Sequence, residues 1–102
     1  MAQWIYRIVP MRPEMVADPT DEEAAVVAEH FGYLQALKAA GILILAGRTQ
    51  EESGAWGITI FEAPDEESAR AVMQTDPAVS GGVMRAELYP YAVAVARDGL
   101  AD

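Results

Sequence analysis

The apolar positions along the chain change period several times, and each change marks an element. Gln3 to Val9 (Trp4, Ile5, Tyr6, Arg7, Ile8, Val9) is rich in aromatic and β-branched residues and stops at Pro10, as a first strand should. Both faces of that strand are largely apolar. Pro10 to Pro19 carries three prolines and no period, so it reads as a loop. Thr20 followed by Glu23 is a capping box, and Asp21, Glu22 and Glu23 sit where a helix dipole favours acids. A helix over about Asp21 to Ala40 follows. At 100° per residue it places Ala24, Val27, Phe31, Leu34 and Leu37 on one stripe, and Gly41 closes it.

Ile42 to Ala46 is a continuous apolar run of strand length, expected to be buried on both faces. Gly47 to Gly54 is polar and suits a hairpin loop, so Ala55 to Glu62 is a third strand, antiparallel to the second. Pro64 and the acids Asp65 to Glu67 form a helix entry, and the second helix runs to about Thr75 before Asp76 and Pro77 break it. Val83 to Ala96 is a fourth strand, expected to bend near Pro90. Residues 1–98 make one domain, and Gly99 to Asp102 is a loose tail. The order is the ferredoxin-like βαββαβ, an α+β fold with a four-stranded antiparallel sheet and both helices on one face. Side chains alternate across a strand, so the apolar residues cannot all face the helices. A second copy of the sheet is the simplest cover for the open face, giving a homodimer.

Composition narrows the chemistry. Seven lysines and arginines against 16 aspartates and glutamates give a formal charge of -9, which argues against nucleic acid as a partner. There is no cysteine, which removes disulfides, thiolate metal sites and cysteine nucleophiles. The first ten residues read as a strand rather than a signal peptide, and no apolar run approaches the roughly 18 to 20 residues of a membrane span. The expectation is a cytoplasmic protein without membrane contact.

His30 is the sole histidine, and it lies on the apolar stripe between Val27 and Leu34. An imidazole turned inward needs a partner for its ring nitrogens, and one histidine alone makes no motif, so a satisfied core histidine is the plainer reading. Asp76 is its natural partner: it stands where the second helix breaks, at a helix C-terminus whose dipole opposes a carboxylate, although Asp-Pro is also an ordinary turn pair. The pair should meet in a cleft between the first helix and the loop Ala78 to Gly82. Ser80 offers a hydroxyl beside Gly81 and Gly82, with no phosphate-loop pattern around them. Arg7, Arg48 and Arg85 are scarce cations, each able to hold an anion or simply to pair with a surface acid. The acidic runs belong to helix starts and carry no metal role.

His30, Tyr33, Leu34, Leu37, Gly41, Leu45, Ala46, Gly47, Asp76, Pro77, Gly82, Val83, Glu87 and Pro90 together resemble the YciI-like (YCII-related) family over essentially the whole chain. The chain departs from the family pattern at Ala78, where an aromatic is common, and at Arg48, where proline often stands. The resemblance implies a dimeric α+β barrel, with His30 and Asp76 as a catalytic dyad. It implies small organic substrates and no cofactor or metal. The leading expectation is therefore a cofactor-independent enzyme for a small aromatic or carbonyl-bearing acid, working by elimination or isomerisation, with Tyr33, Arg48 and Ser80 as substrate-binding residues. A non-catalytic metabolite-binding or accessory domain is the first alternative, and a cofactorless oxygenase the second.

Overall fold

Strand alternation decides which residues the sheet gives to the core. In the computed structural model, which describes residues 1–99, β1 (Ala2–Pro10) buries Trp4, Tyr6 and Ile8 on one face and leaves Gln3, Ile5, Arg7 and Val9 half-covered on the other. It is followed by a 3-10 turn (Pro13–Met15), α1 (Asp21–Ala39), β2 (Leu43–Arg48), β3 (Gly57–Ala63), α2 (Glu66–Thr75), a four-residue α3 (Pro77–Ser80) and β4 (Met84–Tyr91). The sheet order is β2-β3-β1-β4, and every neighbouring pair is antiparallel. This is the ferredoxin-like α+β arrangement, with the helices packed on one side. The expected tail at Gly99 to Asp102 falls mostly on residues 100–102, outside the described residues.

The core is concentrated between β1, β3 and α2. Trp4, Tyr6, Ile8, Phe61, Ala63, Ala69 and Met73 form one buried cluster, with Tyr6 and Phe61 edge to face at 5.7 Å. Asp65 caps α2 by accepting from the Ser68 N–H at 2.8 Å. Gly81 ends α3 where a side chain could not fit, since a Cβ there would lie 2.6 Å from the Pro77 carbonyl and 3.4 Å from Val26.

Several elements differ from their expected form. β2 lies at a sheet edge with a bulge between Leu43 and Leu45, so its apolar run is half-buried rather than buried on both faces. β4 ends at Tyr91 and passes through Pro90, which pairs with Trp4. An edge strand tolerates a proline, so no bend is needed there. Beyond it Val93 donates its N–H to Gln3 Oε1 at 2.7 Å instead of extending the ladder. Of the loop expected at Ala78 to Gly82, residues 78–80 belong to α3 (Pro77–Ser80), which is helical because Asp76 supplies its N-cap. On α1 the inward face is Val26, Val27, His30, Tyr33, Leu34 and Leu37, while Phe31 is 62% exposed. The flank of the stripe carrying Ala24 and Phe31 faces a cavity rather than packed side chains.

The segment between β1 and α1 is not slack. Arg12 donates through Nε and Nη2 to the two oxygens of Glu23 (3.2 and 2.7 Å) and through Nη2 to the Asp18 carbonyl at 2.6 Å. Glu23 also accepts from the Thr20 N–H at 2.8 Å, while Thr20 Oγ1 accepts from the Glu23 N–H, so one carboxylate serves both the capping box and the strap. Met15 is buried beneath it. No helix among the described residues is long and apolar enough to cross a membrane.

The Arg12 hydrogen bond, followed by that from Thr20, holds the Glu23 carboxyl at about 2, below its ordinary 4.5. Glu23 thus binds a proton more weakly folded than unfolded, and the stabilisation it gives is complete above about pH 4.5 and lost as the pH falls toward 2. Arg12→Gln is expected to flatten the decline of the unfolding temperature across that window. Parallel declines in variant and wild type would show that the clamp contributes nothing.

Candidate active site

The site begins with a carboxylate that has been taken out of water. Asp76 is 0% exposed, at the junction where α2 ends and α3 begins. Burying a carboxylate is costly unless donors meet its oxygens, and three do so here. Oδ1 accepts from the Ala78 N–H at 2.9 Å, and Oδ2 accepts from the Tyr6 hydroxyl at 2.7 Å. His30 Nδ1 lies 2.8 Å from both oxygens. The aspartate that seemed to oppose the dipole of α2 is thus the cap of the next helix, which gives its position a structural reason as well.

That network assigns the tautomer of His30. A carboxylate only accepts, so the proton between the two groups resides on Nδ1, and in the neutral ring the lone pair resides on Nε2. His30 reaches this position from the inner face of α1, and its side chain is 13% exposed. The ring also lines a cavity of about 490 Å³. Ile8, Met15, Val27, Leu34 and Trp56 supply much of its apolar wall, with Thr59 and Arg48 as further polar residues. Among the described residues that line the cavity there is no carboxylate, in a chain with a net charge of -9.

The expected site residues separate into two groups. His30 and Asp76 are in contact, and Arg48 lines the same cavity as His30. Tyr33 does not line it: its hydroxyl donates to the Val72 carbonyl at 2.7 Å, tying α1 to α2. Burial first and the Asp76 charge second push the Tyr33 phenol up to about 12. Ser80 is exposed on α3, outside the cavity lining. The cleft expected between α1 and residues 78–82 is instead bounded by α1, the strap and the β2 and β3 strands, because α3 packs against the back of the pair.

Sequence reading missed Tyr6 and Thr59. The alternation of β1 puts Tyr6 on the core face, and a buried phenol needs an acceptor; that requirement was the available signal. Thr59 stands opposite Tyr6 in the β1–β3 register and lines the cavity. Among the described residues no group of three or more His, Asp or Glu side chains could hold a metal ion.

An α+β sheet protein with an imidazole–carboxylate pair at the wall of an apolar cavity is the class that fold and site define. The sequence model of the YCII-related domain matches residues 5–91, and the chain belongs to that family. No curated protein sequence matches it. Among solved structures, the chain is similar to 5-chloro-2-hydroxyhydroquinone dehydrochlorinase from Burkholderia phenoliruptrix AC1100, solved in complex with 2,5-dihydroxybenzoquinone. The identity is 18%, with 86% of this chain and 93% of that one covered and a TM-score of 0.62. It is also similar to a Chloroflexus aurantiacus J-10-fl protein provisionally described as an antibiotic biosynthesis monooxygenase, at 16% identity over 95% and 98% of the two chains, with a TM-score of 0.44. The former likeness shows the fold, the four-stranded antiparallel α+β sheet described above.

Asp76→Asn replaces one accepting oxygen by a donor, so either Tyr6 or Ala78 loses its acceptor. The expected cost is about 1–3 kcal/mol of stability in urea unfolding. The ring nitrogens of the single histidine should then report a mixture of tautomers by NMR, where the wild type reports one. An Asn variant as stable as wild type with a single tautomer would remove Asp76 from this role.

Proposed function

We propose that the protein is a cofactor-independent enzyme acting on a small organic acid, with His30 as general base and acid and Asp76 orienting it. The observation that carries this reading is the His30–Asp76 contact at the cavity wall, which leaves Nε2 as the ring's free nitrogen. A cavity of about 490 Å³ suits a molecule of one ring or a short chain. Arg48, with no lining carboxylate among the described residues, favours an anionic ligand, so an aromatic or carbonyl-bearing acid fits the chemistry. The dehydrochlorinase, whose name states an elimination from a hydroxylated ring, supports this class of reaction without fixing the substrate.

The proposed chemistry is proton transfer. Nε2 takes a proton from a ligand C–H or O–H, and the Asp76 charge stabilises the imidazolium that results. In an isomerisation the same nitrogen returns that proton at another ligand atom. In an elimination the electron pair of the broken C–H bond becomes the new π bond, and the leaving group departs with its own bonding pair. The decisive experiment is a screen of hydroxylated aromatic and keto acids without added cofactor, read by mass spectrometry, with 2,5-dihydroxybenzoquinone as a binding probe. Turnover is expected, and His30→Gln should reduce it by roughly 10²–10⁴-fold. Saturable binding without any product would instead make the chain a metabolite-binding module.

We also infer that the working form is a homodimer closed through the open sheet face. Cross-strand register gathers Ile5, Val9, Ile58, Ile60, Tyr89 and Tyr91 there, away from the helices. Tyr89 and Tyr91 are 46% and 44% exposed. Arg7 and Glu87, 3.7 Å apart, place both charge signs within the apolar patch. Such a patch can meet its own two-fold copy without like-charge conflict. Light scattering should give twice the 11.0 kDa chain mass, and Ile5→Asp should yield monomers. A monomeric wild type at micromolar concentration would sink the dimer.

A further inference from the structure

Tyr6 is a buried titratable group to which the proposed proton transfer gives no part. It is 0% exposed and donates to Asp76 Oδ2 at 2.7 Å, across 70 positions of sequence. Burial first and the Asp76 charge second push the phenol well above its ordinary range, so it remains a donor wherever the fold persists. Thr59 stands opposite it in the sheet register, is itself buried and lines the cavity. Tyr6 therefore stands between a residue of the cavity lining, its register partner Thr59, and the carboxylate to which it donates.

The distances around the carboxylate are balanced. Each oxygen has one donor of its own, Ala78 N–H on Oδ1 and Tyr6 O–H on Oδ2, and the imidazole is shared at 2.8 Å from both. We propose that Tyr6 is a positioning residue that keeps the His30 ring centred on Asp76 and so sets how Nε2 is presented to the cavity. The reason is competition for lone pairs. A short O–H···O⁻ bond draws charge from Oδ2, and the N–H of the ring then finds the two oxygens equivalent. Without the phenol, Oδ2 becomes the stronger acceptor, the ring N–H swings to it alone, and the imidazole tilts off its axis. The carboxylate also loses the contact that ties it to β1. This inference rests on the reading of His30 as the base, but it concerns the resting protein and can be measured with no substrate.

The test uses the fact that His30 is the sole histidine, so its ring signals are unambiguous. Nitrogen-15 NMR of wild type, Tyr6→Phe and Thr59→Val would be compared, together with the rate at which diethyl pyrocarbonate acylates the imidazole. Tyr6→Phe is expected to move the Nδ1–H proton resonance, admit a second ring state and change the acylation rate several-fold. Thr59→Val should do the same in smaller measure, because it alters the residue beside Tyr6 in the sheet and leaves the phenol in place. A merely structural tyrosine would lower the unfolding temperature and leave the ring signals where they are, and that result in a folded Tyr6→Phe would overturn the proposal. If Tyr6→Phe does not fold, Thr59→Val decides: shifted ring signals support the role, and unchanged ones end it. An active His30→Gln enzyme would sink the reading of His30 as base without touching these spectra, so the two failures are distinct.

Discussion

The structure depends on one buried carboxylate. Asp76 lies at a break in the chain and is met by a strand hydroxyl, a helix imidazole and the first free amide of a short helix. A carboxylate with no access to water is tolerated only when its donors are held in place, and each of these donors belongs to a different element. The cost of desolvation is therefore offset by a contact that joins β1, α1 and α3 at one point. Site and fold are the same interaction here. The group that would orient a base also fixes the position of α1 over the sheet.

Much of this was open to reading because local patterns and tertiary demands agreed. Four strands and two long helices followed from alternation, the Thr20–Glu23 box and the Pro64 entry, and His30 and Asp76 stood out as a lone histidine on an apolar face and an acid at a helix break. The misreadings have physical causes. β2 was expected to be buried on both faces because an apolar run says nothing about whether a strand is central or at an edge. The apolar residues after Tyr91 carry a strand-like pattern to Ala96, yet residues 92–97 join no strand. Tyr33 and Ser80 have suitable hydroxyls near the pair in sequence, but the fold gives the Tyr33 hydroxyl to Val72 and turns Ser80 to solvent. Tyr6 is hard to single out in the sequence because an aromatic residue in a strand is usually there for its ring, and only the burial of its hydroxyl shows otherwise.

The open sheet face and the cavity face differ in their polar groups. Arg7 lies 4.8 Å from the Trp56 ring and 3.7 Å from Glu87, so the apolar surface of the sheet carries its own neutralised charge pair. The cavity carries Arg48 and an imidazole with no lining acid among the described residues. Surface pairs of the first kind contribute little to stability. Their value is in orienting a contact, whereas an exposed cation lining a cavity without a lining acid favours an oppositely charged guest.

The cavity and the core are built from nearly separate sets of side chains. The buried cluster of Trp4, Tyr6, Ile8, Phe61, Ala63, Ala69 and Met73 shares only Ile8 with the cavity lining, whose walls come mainly from α1, the strap and the β2 and β3 ends. Most mutations that damage proteins do so by disturbing packed cores, so stability limits how far a site can drift. In this architecture that limit is loose. Val27, Phe31, Leu34 or Trp56 can change size or shape while the cluster beneath α2 stays intact, and one scaffold can be retuned to different ligands by descent or by laboratory selection.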